Sequence, residues 1–270
     1  MNFEHLPVYT LLSMLVIVLV WELFRPRRPE AKNIGWRWAN NLALTVIDQL
    51  TAKALQTGLL LLAVWYARHF ETGLLAEPAI PWLLAFVVNF LVLDAIGYGM
   101  HRAFHKVPAL WRIHQVHHAD TEVDFSTTYR HHPFEVLIMQ AATVPVIVVL
   151  APPVTAVLAQ ELIRTVINVV AHGNIHVPER VNRVLLWFMV TPDFHRLHHS
   201  SDRRFTDSNY GATLPWFDYL FKTASHKPFA EQATMQLGLE YARAPEDSRV
   251  DRLLLMPFAD QRALRQEPLS

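Results

Sequence analysis

The chain has 270 residues, 52% of them hydrophobic and 18% charged, and its mean hydropathy is +0.17; that leans towards a membrane protein. Lys+Arg and Asp+Glu balance at 24 each, so no net positive field draws in nucleic acid. Cysteine is absent, which excludes disulfides, iron–sulfur clusters and thiolate ligation and leaves nitrogen and oxygen ligands for any metal.

Between Leu6 and Trp21 there is no charge, and with Glu22 to Phe24 the stretch is long enough to cross a bilayer as helix. No small-residue cleavage site follows, so it reads as an anchor and not a signal peptide. Arg25, Arg27, Arg28, Lys32 and Arg37 come directly after it, which by the positive-inside rule makes that end cytoplasmic. Residues 42–66 form a second apolar stretch holding Asp48 and Lys53, and residues 80–98 a third holding only Asp94. Two further passes return the chain to the cytoplasm near His101. Residues 136–150 and 154–170, parted by Pro152 and Pro153, read as a helical hairpin. Each arm is about 22 to 26 Å long, so the pair either spans a thin membrane or dips in and returns. Glu161 and Arg164 read as an ion pair within it. From His172 onward charge increases, with residues 184–190 and the Leu253–Met256 run as interfacial contacts. The expected fold is all-α: about four transmembrane or re-entrant helices under a cytoplasmic helical cap. The divisions expected are 1–79 (N-terminal membrane helices), 80–225 (catalytic domain) and 226–270 (cytoplasmic tail).

Four histidine clusters stand out: His101-x-x-x-His105, His114-x-x-His117-His118, His172-x-x-x-His176 and His195-x-x-His198-His199. Residues three or four apart share a helix face, so each cluster aims two imidazoles one way. Ten nitrogens exceed what one metal holds, which points to two metals sharing them. Imidazole suits Fe, Zn, Cu and Ni alike, so the donor set leaves the element open. A lone histidine is usually a packed or solvated residue, and that reading is taken for His5, His69 and His226. Asp94 lies seven residues before His101 on the same face. It reads as a hydrogen-bond partner of a ligand imidazole, the alternative being a snorkelling carboxylate. Asp193, Asp202, Asp207 and Asp218 surround the last cluster either as further partners or as solvated loop residues.

The four clusters in this order resemble the fatty acid hydroxylase and sterol desaturase superfamily. Further points of likeness are Asp94, Arg130-His131-His132-Pro133-Phe134-Glu135, His172-Gly173-Asn174, Asn209-Tyr210-Gly211 and Trp216-Phe217-Asp218. The likeness covers 94–223. It implies a membrane oxidoreductase that uses two iron ions, with zinc able to replace them on isolation, and O2 to hydroxylate or desaturate a lipid or sterol, hydroxylation being favoured. It also implies that the ten clustered histidines are the metal ligands, that His132 has a structural or supporting role, and that His131 is incidental. The tail after Thr223 resembles that of bacterial sterol desaturase-like members, which implies a bacterial inner membrane. Neither a His-Pro-Gly-Gly haem segment nor a glycine-rich dinucleotide fingerprint is present, so a separate electron-donor protein is expected. The rival readings are a membrane zinc hydrolase or isomerase, weakened by the absence of H-E-x-x-H, and a histidine-rich metal transport protein, weakened because the clusters fall at segment ends.

Overall fold

The structure is a computed structural model that describes residues 5–29, 34–69, 73–75, 80–261 and 264, with backbone alone over 56–69. The His69 side chain and most of the 70–79 connection lie outside the described residues. Among the described residues there are helices and turns but no strand; two isolated β-bridges are the extended pairings.

Helix α1 (Leu6–Phe24) is followed by α2 (Ile34–His69) and α3 (Trp82–Lys106). Pro108 occupies the first turn of α4 (Pro108–His118), where its missing N–H costs nothing. A 3-10 turn at Phe125–Thr127 leads into α5 (Pro133–Leu150) and α6 (Val154–His172). Ala151, left-handed at φ 44°, closes α5 before Pro152 and Pro153 turn the chain. Short helices then follow: α7 (Glu179–Leu185), α8 (Pro192–His198), α9 (Arg203–Thr206), α10 (Trp216–Leu220), α11 (Phe229–Gln232) and α12 (Val250–Leu255).

The expected pass over residues 42–66 falls in α2, whose side chains from 56 onward lie outside the described residues. Among the described residues α1, α3, α5 and α6 are long and apolar enough to cross a membrane. Most of their side chains are not covered by protein, as expected of lipid-facing helices. The hairpin arms are longer than the sequence suggests, 18 and 19 residues, or about 27 and 28 Å. The expected Glu161–Arg164 pair is present at 2.8 Å.

Helix α1 packs along α6, and α3 lies against α4, α5 and α6. This gathers the ends of α3 and α6 around α4 and α8. Polar groups clamp the gathering point. Arg37 on α2 is buried against both Asp120 and Asp124, and Arg130, fully buried, donates to Val116 O and Asn41 Oδ1. Glu22, at the end of α1, accepts from the backbone N–H groups of Phe125 and Asn174. Leu239, Tyr241, Ala242, Leu253 and Met256 pack into a core with Leu44, Trp111 and Val116, so this part of the chain lies against α4.

Candidate metal centre

Nine histidines converge in two adjoining groups among the described residues. His101, His105, His114, His118 and His198 form one; His117, His172, His195 and His199 form the other. Within each group the candidate donor atoms lie within 4.8 Å of one another. The spacing explains the partition. His101/His105, His114/His118 and His195/His199 are four apart and share a face. Adjacent residues on a helix diverge, so His117–His118 and His198–His199 each send one ring to either group. Rings of the two groups touch: His118 stacks on His199 with centroids 4.6 Å apart, and His117 meets His199 edge-on at 4.6 Å.

His176 departs from the expected set of ten. The H-x-x-x-H spacing aligns two rings only if the helix continues, and α6 stops at His172. Gly173 sits where a Cβ would come within 2.9 Å of Val18 Cγ1 and 3.2 Å of Val170 O. The chain then runs extended, Ile175 bridging to Pro26 and the His176 N–H donating to Arg25 O. The His176 ring meets Phe229 at 5.9 Å, away from both groups.

The inward rings are held from behind. His101 Nδ1 donates to Tyr210 O at 2.7 Å, His172 Nδ1 to Asn168 O at 2.8 Å, and His198 Nδ1 to Ser208 O at 2.6 Å. His114 Nδ1 donates to Glu135 Oε1 at 2.9 Å. Each bond places the proton on Nδ1 and turns the Nε2 lone pair inward. In the four-histidine group Nε2 atoms face one another: His172 and His117 at 3.2 Å, His195 and His172 at 2.9 Å, His199 and His195 at 3.2 Å. Two nitrogens bound at about 2.1 Å and at right angles around one ion are about 3.0 Å apart. Nε2 of His101 and of His198 and both nitrogens of His105 are buried without a hydrogen-bond partner. Burial first, and neighbouring imidazoles second, hold His117, His118, His195, His198 and His199 well below 6.5. They are neutral at pH 7, the form that ligates metal. Buried, neutral nitrogens aimed at common centres fit two metal ions.

Asp94 takes neither role expected of it. It is buried, and its Oδ2 accepts from Leu214 N at 3.3 Å instead of from an imidazole. It thereby steadies the loop whose Tyr210 carbonyl holds His101. Asp218 is fully buried and accepts from Tyr210 N and Gly211 N at 2.9 and 2.7 Å. Asn209 is left-handed at φ 55°, a conformation asparagine tolerates, and its amide bridges Phe194 O and Ser225 N. Gly211 is required because a Cβ would come within 2.5 Å of Leu214 O. The Asn209-Tyr210-Gly211 likeness is thus a backbone bracket for His101.

His132 caps α5, its Nδ1 accepting from Phe134 N and its Nε2 meeting Leu254 O. His131 is outside both groups but is not idle: it stacks on His117 at 4.5 Å and 13°, between Asp48 (3.6 Å) and Glu135 (3.7 Å). Asp193 pairs with Arg27 and Arg196, Asp202 caps α9, and Asp207 approaches His105 Nδ1 at 3.4 Å. Sequence reasoning did not give Glu135 or Asp48 a part. Glu135 lies in the first turn of α5, four residues after His131, which precedes the helix.

The fatty acid hydroxylase family model matches residues 86–223, about half of the chain. This chain belongs to that family. It is 31% identical over 145 residues to the alkylglycerol monooxygenase of Xenopus tropicalis, covering 53% of this chain and 30% of that protein. To an ornithine lipid hydroxylase of Rhizobium tropici it is 27% identical over 228 residues, 80% of this chain and 66% of the relative. To methylsterol monooxygenase 2-1 of Arabidopsis thaliana it is 27% identical over 146 residues, covering 50% and 53%. The chain therefore spans less than a third of the alkylglycerol monooxygenase and between half and two thirds of the other two. No solved structure matches it.

Proposed function

We propose that this protein is a membrane-bound di-iron oxidoreductase that uses O2 to hydroxylate a C–H bond of a lipid. The observation that carries this reading is the pair of adjoining buried groups, five and four imidazoles, with lone pairs turned inward. His101, His105, His114, His118 and His198 hold one iron; His117, His172, His195 and His199 hold the other. When bound, the iron pair supplies the redox chemistry of dioxygen at an unactivated C–H bond. The protein orients the imidazoles through Tyr210 O, Asn168 O, Ser208 O and Glu135, and burial keeps His117, His118, His195, His198 and His199 neutral.

Relatives named for alkylglycerol, ornithine lipid and methylsterol support a lipid or sterol substrate. The arginines after α1 support a cytoplasmic site, because Arg27 and Arg28 reach over to Phe229 O, Gln232 O and Ala233 O in the segment beyond α8. A separate protein supplies the electrons, and a bacterial inner membrane is the proposed location. The test is labelled dioxygen. Membranes containing the protein, a reductant and host lipid should yield a lipid heavier by one labelled oxygen, and His198→Ala/His199→Ala should abolish it. A product lighter by two hydrogens and carrying no label would replace hydroxylation by desaturation. Absence of oxygen uptake with every lipid tried would refute the oxygenase reading and favour a zinc enzyme.

A further inference from the structure

Outside the four candidate spans the cap exposes large apolar side chains that no part of the described chain covers. Val184, Trp187, Phe188, Trp216, Leu220 and Phe221 form one patch, Trp187 at 72% and Leu220 at 68% exposure. Leu255 and Phe258 form a second, at 64% and 65%. Soluble surfaces rarely gather such side chains without a partner.

What covers them is indicated by where they attach. Leu186 and Met189 pack on Ile167 and Ala171, in the last two turns of α6. Phe221 stacks on Tyr98 of α3 with centroids 5.4 Å apart and an interplanar angle of 14°. Phe258 meets Phe134, the second residue of α5, at 6.0 Å. Helix α3 has 25 residues, about 38 Å, whereas a hydrocarbon core takes about 20 residues. Counted from Trp82, the core boundary falls near His101, just beyond Tyr98. All three attachments therefore sit where spanning helices leave the apolar slab on the histidine side. Trp216 Nε1 donates to Trp187 O at 2.8 Å, which fixes the two loops of the larger patch together. Exposed Arg180, Arg183 and Lys222 flank it.

We propose that these two patches form an apolar collar that inserts into the headgroup and upper acyl region of the bilayer and seats the histidine cap on the membrane. The occupant is lipid, because the collar continues the lipid-facing surface of α3, α5 and α6. Trp and Tyr have their preferred place at this depth, and basic side chains beside them meet lipid phosphates. The proposal rests on the membrane-spanning reading of those helices and not on any metal.

The native chain has no cysteine, so a single introduced cysteine reports from one place. Phe188→Cys, Leu220→Cys and Phe258→Cys, spin-labelled in the full-length protein in phosphatidylethanolamine/phosphatidylglycerol nanodiscs, are compared with Arg204→Cys, on exposed α9. The ratio of broadening by oxygen to broadening by a water-soluble nickel chelate should be several-fold higher at the three collar sites than at Arg204→Cys. Equal ratios at all four would overturn the proposal. Dipolar broadening at the collar that disappears on dilution with unlabelled protein would assign the patch to a second copy and equally overturn it. Should labelling unfold a variant, lipids brominated near the headgroup should quench less of the tryptophan emission of Trp187→Phe/Trp216→Phe than of wild type. Equal quenching would count against the collar. None of these readouts depends on metal content, so they succeed or fail separately from the oxygenase reading.

Discussion

Glu135→Gln removes one charge from behind the five-histidine group while keeping shape and one acceptor oxygen. Glu135 is buried, and its Oε1 receives the Nδ1 proton of His114 at 2.9 Å. A hydrogen bond to a charged partner contributes about 1.5 to 3 kcal/mol and a neutral one about 0.5 to 1.5. The exchange should therefore cost about 1.5 kcal/mol at His114. One factor of ten is about 1.4 kcal/mol, so metal affinity in that group should fall about tenfold, the lower end of what lost support behind a metal-bound histidine costs. Glu135→Leu removes the acceptor altogether and should approach 100-fold. The assay is chelator competition on purified protein, read as the metal lost at each chelator concentration. Loss should be biphasic, with one equivalent leaving about tenfold more readily than in wild type. Glu161→Gln, at the exposed pair on α6, is the control and should leave both equivalents in place. Wild-type retention in both Glu135 variants would refute the assignment of Glu135 to His114 orientation.

His176→Ala should keep the metal content and activity of wild type, because its ring lies against Phe229, while His172→Ala should lose metal from the four-histidine group; equal losses would return His176 to the ligand set. Arg37→Met removes the guanidinium shared by buried Asp120 and Asp124, leaving Asp120 only the Arg130 cation at 4.0 Å, and should destabilise the fold by about 3 to 5 kcal/mol, seen as a large drop in thermal midpoint in detergent; an unchanged midpoint would contradict it. In the metal-free protein, His117, His118, His195, His198 and His199 have folded pKa values depressed below 6.5. The unfolded chain then binds more protons, so stability is full above 6.5 and is lost as pH falls from 6.5 towards the folded values. The loss is up to about 1.4 kcal/mol per pH unit for each histidine. Unfolding titrations of the apo-protein flat between pH 7 and 5 would contradict this.

Much of this arrangement could be read from the amino-acid order because hydropathy and helical spacing are local. The apolar helices α1, α3, α5 and α6, the Pro152–Pro153 turn, the Glu161–Arg164 pair and the pairing of histidines four apart on one helix face each follow from residues close together in the chain. What was not legible depends on contacts between distant segments. The fate of His176 turns on Gly173 packing against Val18 of α1, which spacing cannot reveal. Asp94 lies on the expected face, but the 213–214 loop reaches it before any imidazole does. Asp48 meets His131 only once α2 packs on α5, and Glu135 meets His114 only once α4 does. Arg130, the most surprising buried group, has its partner Asn41 89 positions away.

The central claim is that the two histidine groups each hold one metal ion. Elemental analysis of the full chain purified from iron-replete cells, beside His114→Ala/His118→Ala and His195→Ala/His199→Ala, tests it most directly. The account predicts two iron ions per wild-type chain and about one in each double variant, with different residual spectra because different groups remain. One metal ion per wild-type chain, or the same residual site in both variants, would contradict it.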